Sequence, residues 1–368
     1  MKNMKAVVYH GPFDVRVETR PTPKVVHDTD VILKVKYSGL CGTDLHSYRG
    51  HIPGPCGTII GHEFLGEVVG KGNKVSKFKV GDEVLSVFTI QCGECFYCKH
   101  GYTGTCVKTN TFGKTGLDGG QAEYVRVPHA ENTLLMKPAQ TSSSSIVDDS
   151  IYVLMADIFV TGYYGAKKIL NFLNQEAPQG YRKQTTKDVN LLLVGAGPVG
   201  LCALKALQSF GFTNIVVVDS IPSRLQQAES FGAKKVINFE EQPDTLANYV
   251  KSDLNGIGFD GVLEAVGANS SLRSAYESVR NNGIISALGM PHDALPFTGL
   301  ECYVKNINIS FGRCHCWAYF AEALAVFEKT KDLFAGFIDH KCAIENAPEA
   351  YKLFDEHKVN KVVFDFTT

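Results

Sequence analysis

The chain has 368 residues, room for two domains with cores of their own, and its 44% apolar and 20% charged residues fit a soluble globular protein. A formal net charge of −1 gives no electrostatic reason to expect nucleic acid or an anionic membrane as a partner. No apolar run reaches the about 20 residues of a membrane-spanning helix, and the start, Met1-Lys2-Asn3-Met4-Lys5-Ala6-Val7-Val8, reads as a first strand and not as a signal peptide. A cytoplasmic protein is expected.

Up to roughly residue 155 the sequence offers short β patterns punctuated by glycine and proline. Examples are Val31-Ile32-Leu33-Lys34-Val35-Lys36-Tyr37, Gly66-Glu67-Val68-Val69, Asp82-Glu83-Val84-Leu85-Ser86-Val87 and Ala122-Glu123-Tyr124-Val125-Arg126-Val127. A compact, β-rich domain is expected here, with the serine run at 142–145 as a surface loop. The polar stretch 174–188 reads as an exposed insertion.

Beyond it the pattern changes to alternating strand and helix. The run Leu191-Leu192-Leu193-Val194 is a buried strand, and a helix opens at Pro198. Ile215-Val216-Val217-Val218-Asp219 is the next strand, followed by a helix that includes Ser223 and Phe231. Further strands are expected at 235–237, 261–265, 283–287 and 307–310, making six short apolar strands with helical crossovers. That is the pattern of a doubly wound parallel sheet, so the fold class is α/β with a β-rich second domain. The last stretch is mixed and ends in a strand-like Lys361-Val362-Val363-Phe364-Asp365-Phe366.

Gly195-Ala196-Gly197-Pro198-Val199-Gly200 follows the first of these strands and opens a helix, and Asp219 closes the next strand. The glycines permit a tight turn and close backbone approach, and the helix N-terminus faces a pyrophosphate. Asp219 would bind the adenosine ribose hydroxyls and repel a 2′-phosphate, which favours NAD over NADP. Arg224 is the counterweight, since an arginine there could serve such a phosphate.

Of eleven cysteines, Cys92, Cys95, Cys98 and Cys106 fall within fifteen residues. Four thiolates in one loop suit a closed, tetrahedral structural zinc with no open position. Iron–sulfur clusters use similar spacings, but nothing else in the chain points to electron transfer. A catalytic zinc needs three protein ligands and one open position. Cys41 and His62 are candidates for it, and the residues alone do not pick the third. Cys314-His315-Cys316-Trp317 has no fourth partner at a metal spacing and reads as wall or core, with Trp317 in reach of substrate. Cys56, Cys202, Cys302 and Cys342 are expected to be buried small hydrophobes.

Gly61-His62-Glu63-x2-Gly66-x5-Gly72-x2-Val75 resembles, position for position, the zinc signature of the medium-chain alcohol dehydrogenases. With Cys41-Gly42-Thr43-Asp44-x-His46, the four-cysteine lobe and the glycine motif in the same order, the resemblance covers essentially the whole chain. It implies a GroES-like catalytic domain (1–157), a Rossmann NAD-binding domain (158–306) and a return to the catalytic domain (307–368), with the active site in the cleft between them. It also implies two zinc ions per subunit and an NAD-linked oxidation of a small alcohol, or the reverse reduction of a carbonyl. Asp157 stands where the third ligand of the family is often cysteine; Cys41, His62 and Asp157 together resemble the branch containing formaldehyde dehydrogenases.

In that family Thr43 would hydrogen-bond the substrate oxygen and pass its proton, by way of the nicotinamide ribose, to His46. Glu63 would lie behind the metal and tune it or join its coordination, or serve as a buried salt-bridge partner. Phe88 corresponds to an aromatic of the substrate pocket, whose shape would depend on the loops around Cys56, Phe88, Phe112 and Trp317. Relatives form homodimers and homotetramers through the Rossmann sheet edge, so one of these is expected. The alternatives are a formaldehyde dehydrogenase or dismutase-like activity, a polyol or diol dehydrogenase and, outside the enzymes, a catalytically silent zinc-stabilised binding protein.

Overall fold

The computed structural model describes residues 3–139, 147–175 and 184–367. The serine run at 142–145 and residues 176–183 of the polar stretch lie outside the described residues. Contacts divide the chain into two units, one of residues 1–160 and 315–368 and one of residues 161–314. Among the described residues no helix is long and apolar enough to cross a membrane.

The first unit begins with a hairpin of β1 (Asn3–Gly11) and β2 (Asp14–Pro21). Then come β3 (Val31–Leu40), the short helix α1 (Gly42–Tyr48), β4 (Glu63–Lys71) and β5 (Glu83–Ser86). The single turn α2 (Phe96–Lys99) lies in the cysteine loop, followed by β6 (Tyr124–Val127) and β7 (Leu134–Met136). A 3-10 helix over Asp149–Ala156 leads into α3 (Ile158–Leu173), where the chain passes to the second unit.

The second unit alternates strand and helix: β8 (Asn190–Val194), α4 (Pro198–Ser209), β9 (Asn214–Asp219), α5 (Pro222–Ser230), β10 (Lys235–Asn238), α6 (Thr245–Ser252), β11 (Phe259–Glu264), α7 (Asn269–Ser278), β12 (Val279–Ala287), α8 (Gly299–Lys305) and β13 (Asn308–Ser310). The strands form one parallel sheet in the order β10-β9-β8-β11-β12-β13. In order of appearance this is 3-2-1-4-5-6, the doubly wound nucleotide-binding arrangement. β8 is buried from Leu191 to Val194 and β11 along its whole length, as central parallel strands must be, although β11 carries two acids, Asp260 and Glu264. Leu192, Val194, Val216, Val262 and Ile285 pack together in this core.

The return to the first unit supplies α9 (Cys316–Thr330), β14 (His340–Cys342), α10 (Ala347–Asp355) and β15 (Val362–Asp365). β15 joins the mixed sheet β14-β15-β3-β4-β5-β7, with β6 also paired to β3. Register shifts at Ile32/Leu33 and Val35/Tyr37 bend β3. Leu33, Val35, Phe64, Val84 and Phe112 fill the core of this unit.

Two cysteine expectations are corrected. Cys56 is exposed and its thiol donates to the His10 carbonyl at 3.2 Å, because it sits in the turn before Ile59 and not in a packed strand. Cys302 and Cys342 are only half-buried, one on α8 and one on the edge strand β14, whereas Cys202 is buried as expected.

Candidate functional site

Strand pairing brings the first cluster together. β3 runs antiparallel to both β4 and β15, with Gly39 opposite Glu63 and Leu40 opposite Val362. The residues just outside these strands, Cys41, His62 and Lys361, therefore converge at one end of the sheet. The buried 3-10 helix ends there too and delivers Asp157 as its C-cap. The ligand atoms of Cys41, His62, Glu63 and Asp157 all lie within 4.8 Å of one another.

The donor spacing suits zinc. For Zn–N and Zn–O bonds of about 2.0 Å, a tetrahedral site separates the two donors by about 3.3 Å. His62 Nε2 lies 3.4 Å from Asp157 Oδ2, and Cys41 Sγ lies 3.9 Å from the same oxygen. The other ring nitrogen, His62 Nδ1, faces Asp44 Oδ1 at 3.1 Å. Such a carboxylate–histidine contact fixes the ring's orientation and leaves Nε2 to the metal.

Asp44 is itself locked in place. It occupies the third position of α1, and its Oδ2 accepts the Cys41 amide at 3.1 Å, one half of a capping box. One side chain thus orients two candidate ligands. Burial opposes the Asp44 carboxylate, but the His62 ring and the Cys41 amide hold its pKa below the usual range. Burial likewise opposes a charged His62, yet Asp44 and Cys41 raise its pKa well above the ordinary value. A divalent cation would take the place of that proton. The Cys41 thiol is pushed up by burial and by the nearby Glu63, so its ionisation also calls for a cation.

Glu63 is fully buried and ion-paired with Lys361, whose ammonium also donates to the Leu40 carbonyl at 3.1 Å. Burial raises the Glu63 pKa against the pull of Lys361. Its other oxygen, Oε1, is buried with no hydrogen-bond partner among the described residues. Glu63 is thus a buried salt-bridge partner, and its carboxylate also lies among the candidate ligand atoms. In the sequence Lys361 is legible only as the start of the final strand; 298 positions separate it from Glu63, and no local pattern links them. Asp44 was missed as well, although an acid three residues after Cys41 at the start of a helix is a capping signal.

Thr43 and His46 lie three residues apart on one face of α1, and both are half-buried. The Phe88 ring stands edge-on to His62 with centroids 6.4 Å apart, next to the cluster. Phe112 is part of the core, fully buried and 4.9 Å edge-on to Phe64. Cys314 and Cys316 are buried, and His315 Nδ1 accepts the Gly104 amide at 3.1 Å. Trp317 is half-buried at the start of α9.

The second cluster is local. Cys92, Cys95, Cys98 and Cys106 also bring their sulfurs within 4.8 Å of one another. Cys92 and Cys106 are 3.5 Å apart, and Cys95 and Cys106 3.9 Å. These are far beyond a disulfide bond of about 2.05 Å and close to the about 3.8 Å edge of a tetrahedral four-thiolate zinc site. Backbone amides of Cys92 and Lys108 both donate to Cys106 Sγ at 3.3 Å. The Cys95 thiol is lowered to about 6 by the amides of Cys98 and Val107.

In the second unit the glycine motif joins β8 to α4. Gly195 has φ +94, Gly197 is the N-cap and Pro198 the first helical residue. A Cβ on Gly200 would collide with the Gly195 carbonyl, so the helix closes directly on the turn. Asp219 ends β9 and braces this turn: Oδ2 accepts the Ala196 amide at 2.7 Å and Oδ1 the Ile221 amide at 2.9 Å. Its carboxylate is thereby fixed beside the glycine turn, with lone pairs left over for a ligand. Arg224 lies alongside, its Nη1 3.9 Å from where a Gly197 Cβ would be.

Known proteins are similar to this chain over nearly its whole length. Residues 27–138 match the family model of the alcohol dehydrogenase GroES-like domain, and residues 198–329 that of the zinc-binding dehydrogenases. The chain is 42% identical over 361 residues to zinc-type alcohol dehydrogenase B of Aspergillus flavus, covering 98% of this chain and 81% of the relative. It is 36% identical over 409 residues to the glutathione-independent formaldehyde dehydrogenase of Pseudomonas aeruginosa, covering 99% and 98% of the two chains. Alcohol dehydrogenase TADH from Thermus sp. ATN1 superposes with a TM-score of 0.86 at 32% identity, over 98% of this chain and 99% of that one.

Proposed function

Because the chain belongs to the zinc-binding alcohol dehydrogenases of the medium-chain type, we propose that it oxidises a small primary alcohol or hydrated aldehyde with NAD, in the manner of the formaldehyde dehydrogenases. The reaction class, hydride transfer between an alcohol and a nicotinamide cofactor, is that of its family, and a catalytically silent binding protein finds no support.

The observation that carries the finer reading is Asp157 beside Cys41 and His62, a thiolate, an imidazole and a carboxylate at zinc-ligand spacing. These three would hold a catalytic zinc, and Cys92, Cys95, Cys98 and Cys106 a structural one. When bound, the catalytic ion supplies a Lewis acid that makes an alcohol proton easier to remove. Asp44 orients His62 and caps Cys41. Lys361 neutralises Glu63 behind the cluster, so that its second carboxylate does not overload the site with negative charge. The Thr43 hydroxyl holds the departing proton at Oγ1, and His46 passes it to solvent, a task its partial exposure suits. Phe88 gives the alcohol an apolar wall beside His62. The net reaction converts the alcohol to a carbonyl and NAD to NADH, with one proton released.

Asp219 favours NAD, since a 2′-phosphate would meet a carboxylate already fixed by two amides. A cytoplasmic homo-oligomer completes the proposal. Support for self-association comes from the edge strand β13, paired on one side only, and from Leu300, Tyr303 and Val304 of α8, which are among the most exposed apolar side chains of the second unit.

The test is a screen of NAD and NADP reduction over primary alcohols, secondary alcohols, diols and formaldehyde. Preference for formaldehyde or short primary alcohols with NAD is the expected result. A clear preference for diols or polyols would replace the substrate assignment, and product formation from formaldehyde without added cofactor would indicate dismutation.

A further inference from the structure

Glu264 plays no part in the function proposed above, yet it is fully buried at the C-terminal end of β11. Its Oε1 accepts three hydrogen bonds, from the Val266 amide at 2.8 Å, the Gly267 amide at 2.7 Å and the Ser271 hydroxyl at 2.8 Å. Its main-chain carbonyl accepts two more, from the amides of Leu288 at 2.7 Å and Gly289 at 3.2 Å, just after β12. One residue therefore ties together the loops that follow two neighbouring parallel strands.

These loops touch backbone to backbone. A Cβ on Gly289 would collide with the Gly267 backbone, and one on Gly267 would lie 2.6 Å from the Met290 carbonyl oxygen. The first loop also abuts the dinucleotide turn, since a Cβ on Gly195 would lie 2.5 Å from Val266 Cγ2. A buried carboxyl is an expensive way to end a strand in the middle of a sheet. Its Oε2 has no hydrogen-bond partner among the described residues, and burial pushes its pKa up against the pull of the Gly267 amide and the Ser271 hydroxyl. Packing alone would be served better by leucine.

In a sheet of this order ligands bind outside the carboxyl ends of the strands, each half of the sheet taking one mononucleotide. β8 and β9 carry the glycine motif and Asp219, the adenosine half. The loops after β11 and β12 belong to the other half. We infer that Glu264 is a positioning residue for the nicotinamide half of the cofactor: it fixes loops 265–268 and 288–290 as the wall against which the nicotinamide nucleotide is held. The inference rests on the reading that this unit binds NAD(H).

Calorimetric binding of NADH and of ADP to the purified full chain separates the two halves. Glu264→Ala should weaken NADH by about tenfold and leave ADP within about twofold. A general loosening of the fold would instead weaken both alike. If circular dichroism shows Glu264→Ala to be unfolded, Glu264→Gln decides, because it keeps an oxygen acceptor but loses the charge that strengthens the three bonds. A loss of threefold or more confined to NADH supports the inference. A folded variant that binds NADH as the parent does, or loses NADH and ADP equally, overturns it. Failure of the parent itself to bind NADH would remove the cofactor reading and the inference with it, a result distinct from either variant outcome.

Discussion

The four-cysteine lobe draws its candidate ligands from one fifteen-residue loop, whereas Cys41, His62 and Asp157 come from three segments, the first and last 116 residues apart. In the lobe the sulfurs are supported by backbone amides, such as those of Cys92 and Lys108 on Cys106. At the other cluster the support is a set of charged side chains, Asp44 on His62 and Lys361 on Glu63. A site that only has to stay closed can be built from local backbone. One that must keep a position open, exclude water and manage protons needs residues that only the tertiary fold brings together.

The largest effect that would break this contrast is at Asp157. Asp157→Ala should lower kcat/KM by about 10³-fold or more, several kcal/mol of lost transition-state stabilisation. Asp157→Cys restores a ligand of the same charge and should stay within about tenfold of the parent; steady-state kinetics checks both. Next comes Lys361→Met, which strands the buried Glu63 carboxylate at a cost of about 3–5 kcal/mol in unfolding free energy. Denaturant titration measures this, and Lys361→Met/Glu63→Gln should recover part of the loss because no unpaired charge is left at this pair.

Asp44→Asn should weaken zinc at the first cluster by about 10–100-fold in chelator competition, the usual range for an outer carboxylate on a ligating histidine. Lys108→Ala should change zinc affinity of the lobe by less than about threefold, because only its backbone amide meets a sulfur. The smallest effect is read in protein stripped of metal. The Cys95 pKa is lowered, so its thiolate persists as pH falls from the ordinary thiol range and disappears only through about 6. Its alkylation by iodoacetamide, followed by mass spectrometry, should thus be half-maximal near pH 6. Cys41, raised by burial, should react slowly at the same pH.

How far the sequence could be read follows the same division. The spacing of the four cysteines, the six apolar strands and the glycine motif are local patterns, and each appears in the fold where the residues place it. The proposed catalytic cluster was legible only through resemblance, because the antiparallel pairing of β3 with β4 and β15 is what brings Cys41, His62 and Lys361 to one end. Asp44 carried a readable capping signal, but its grip on His62 depends on that pairing. Cys56 was misjudged because average cysteine burial says nothing about a residue in an exposed turn. Glu264 looked like one more strand residue; the need for an acid there arises only once the loops after β11 and β12 are seen to touch.

The most direct test of a catalytic zinc at Cys41, His62 and Asp157 is zinc content per chain, measured together with NAD-reduction activity, for the parent, Cys41→Ala and Cys95→Ala. The expected result is two zinc ions in the parent and one in each variant, with activity abolished in Cys41→Ala but retained in folded Cys95→Ala. Full activity in Cys41→Ala on the best substrate, or two zinc ions still bound, would contradict it.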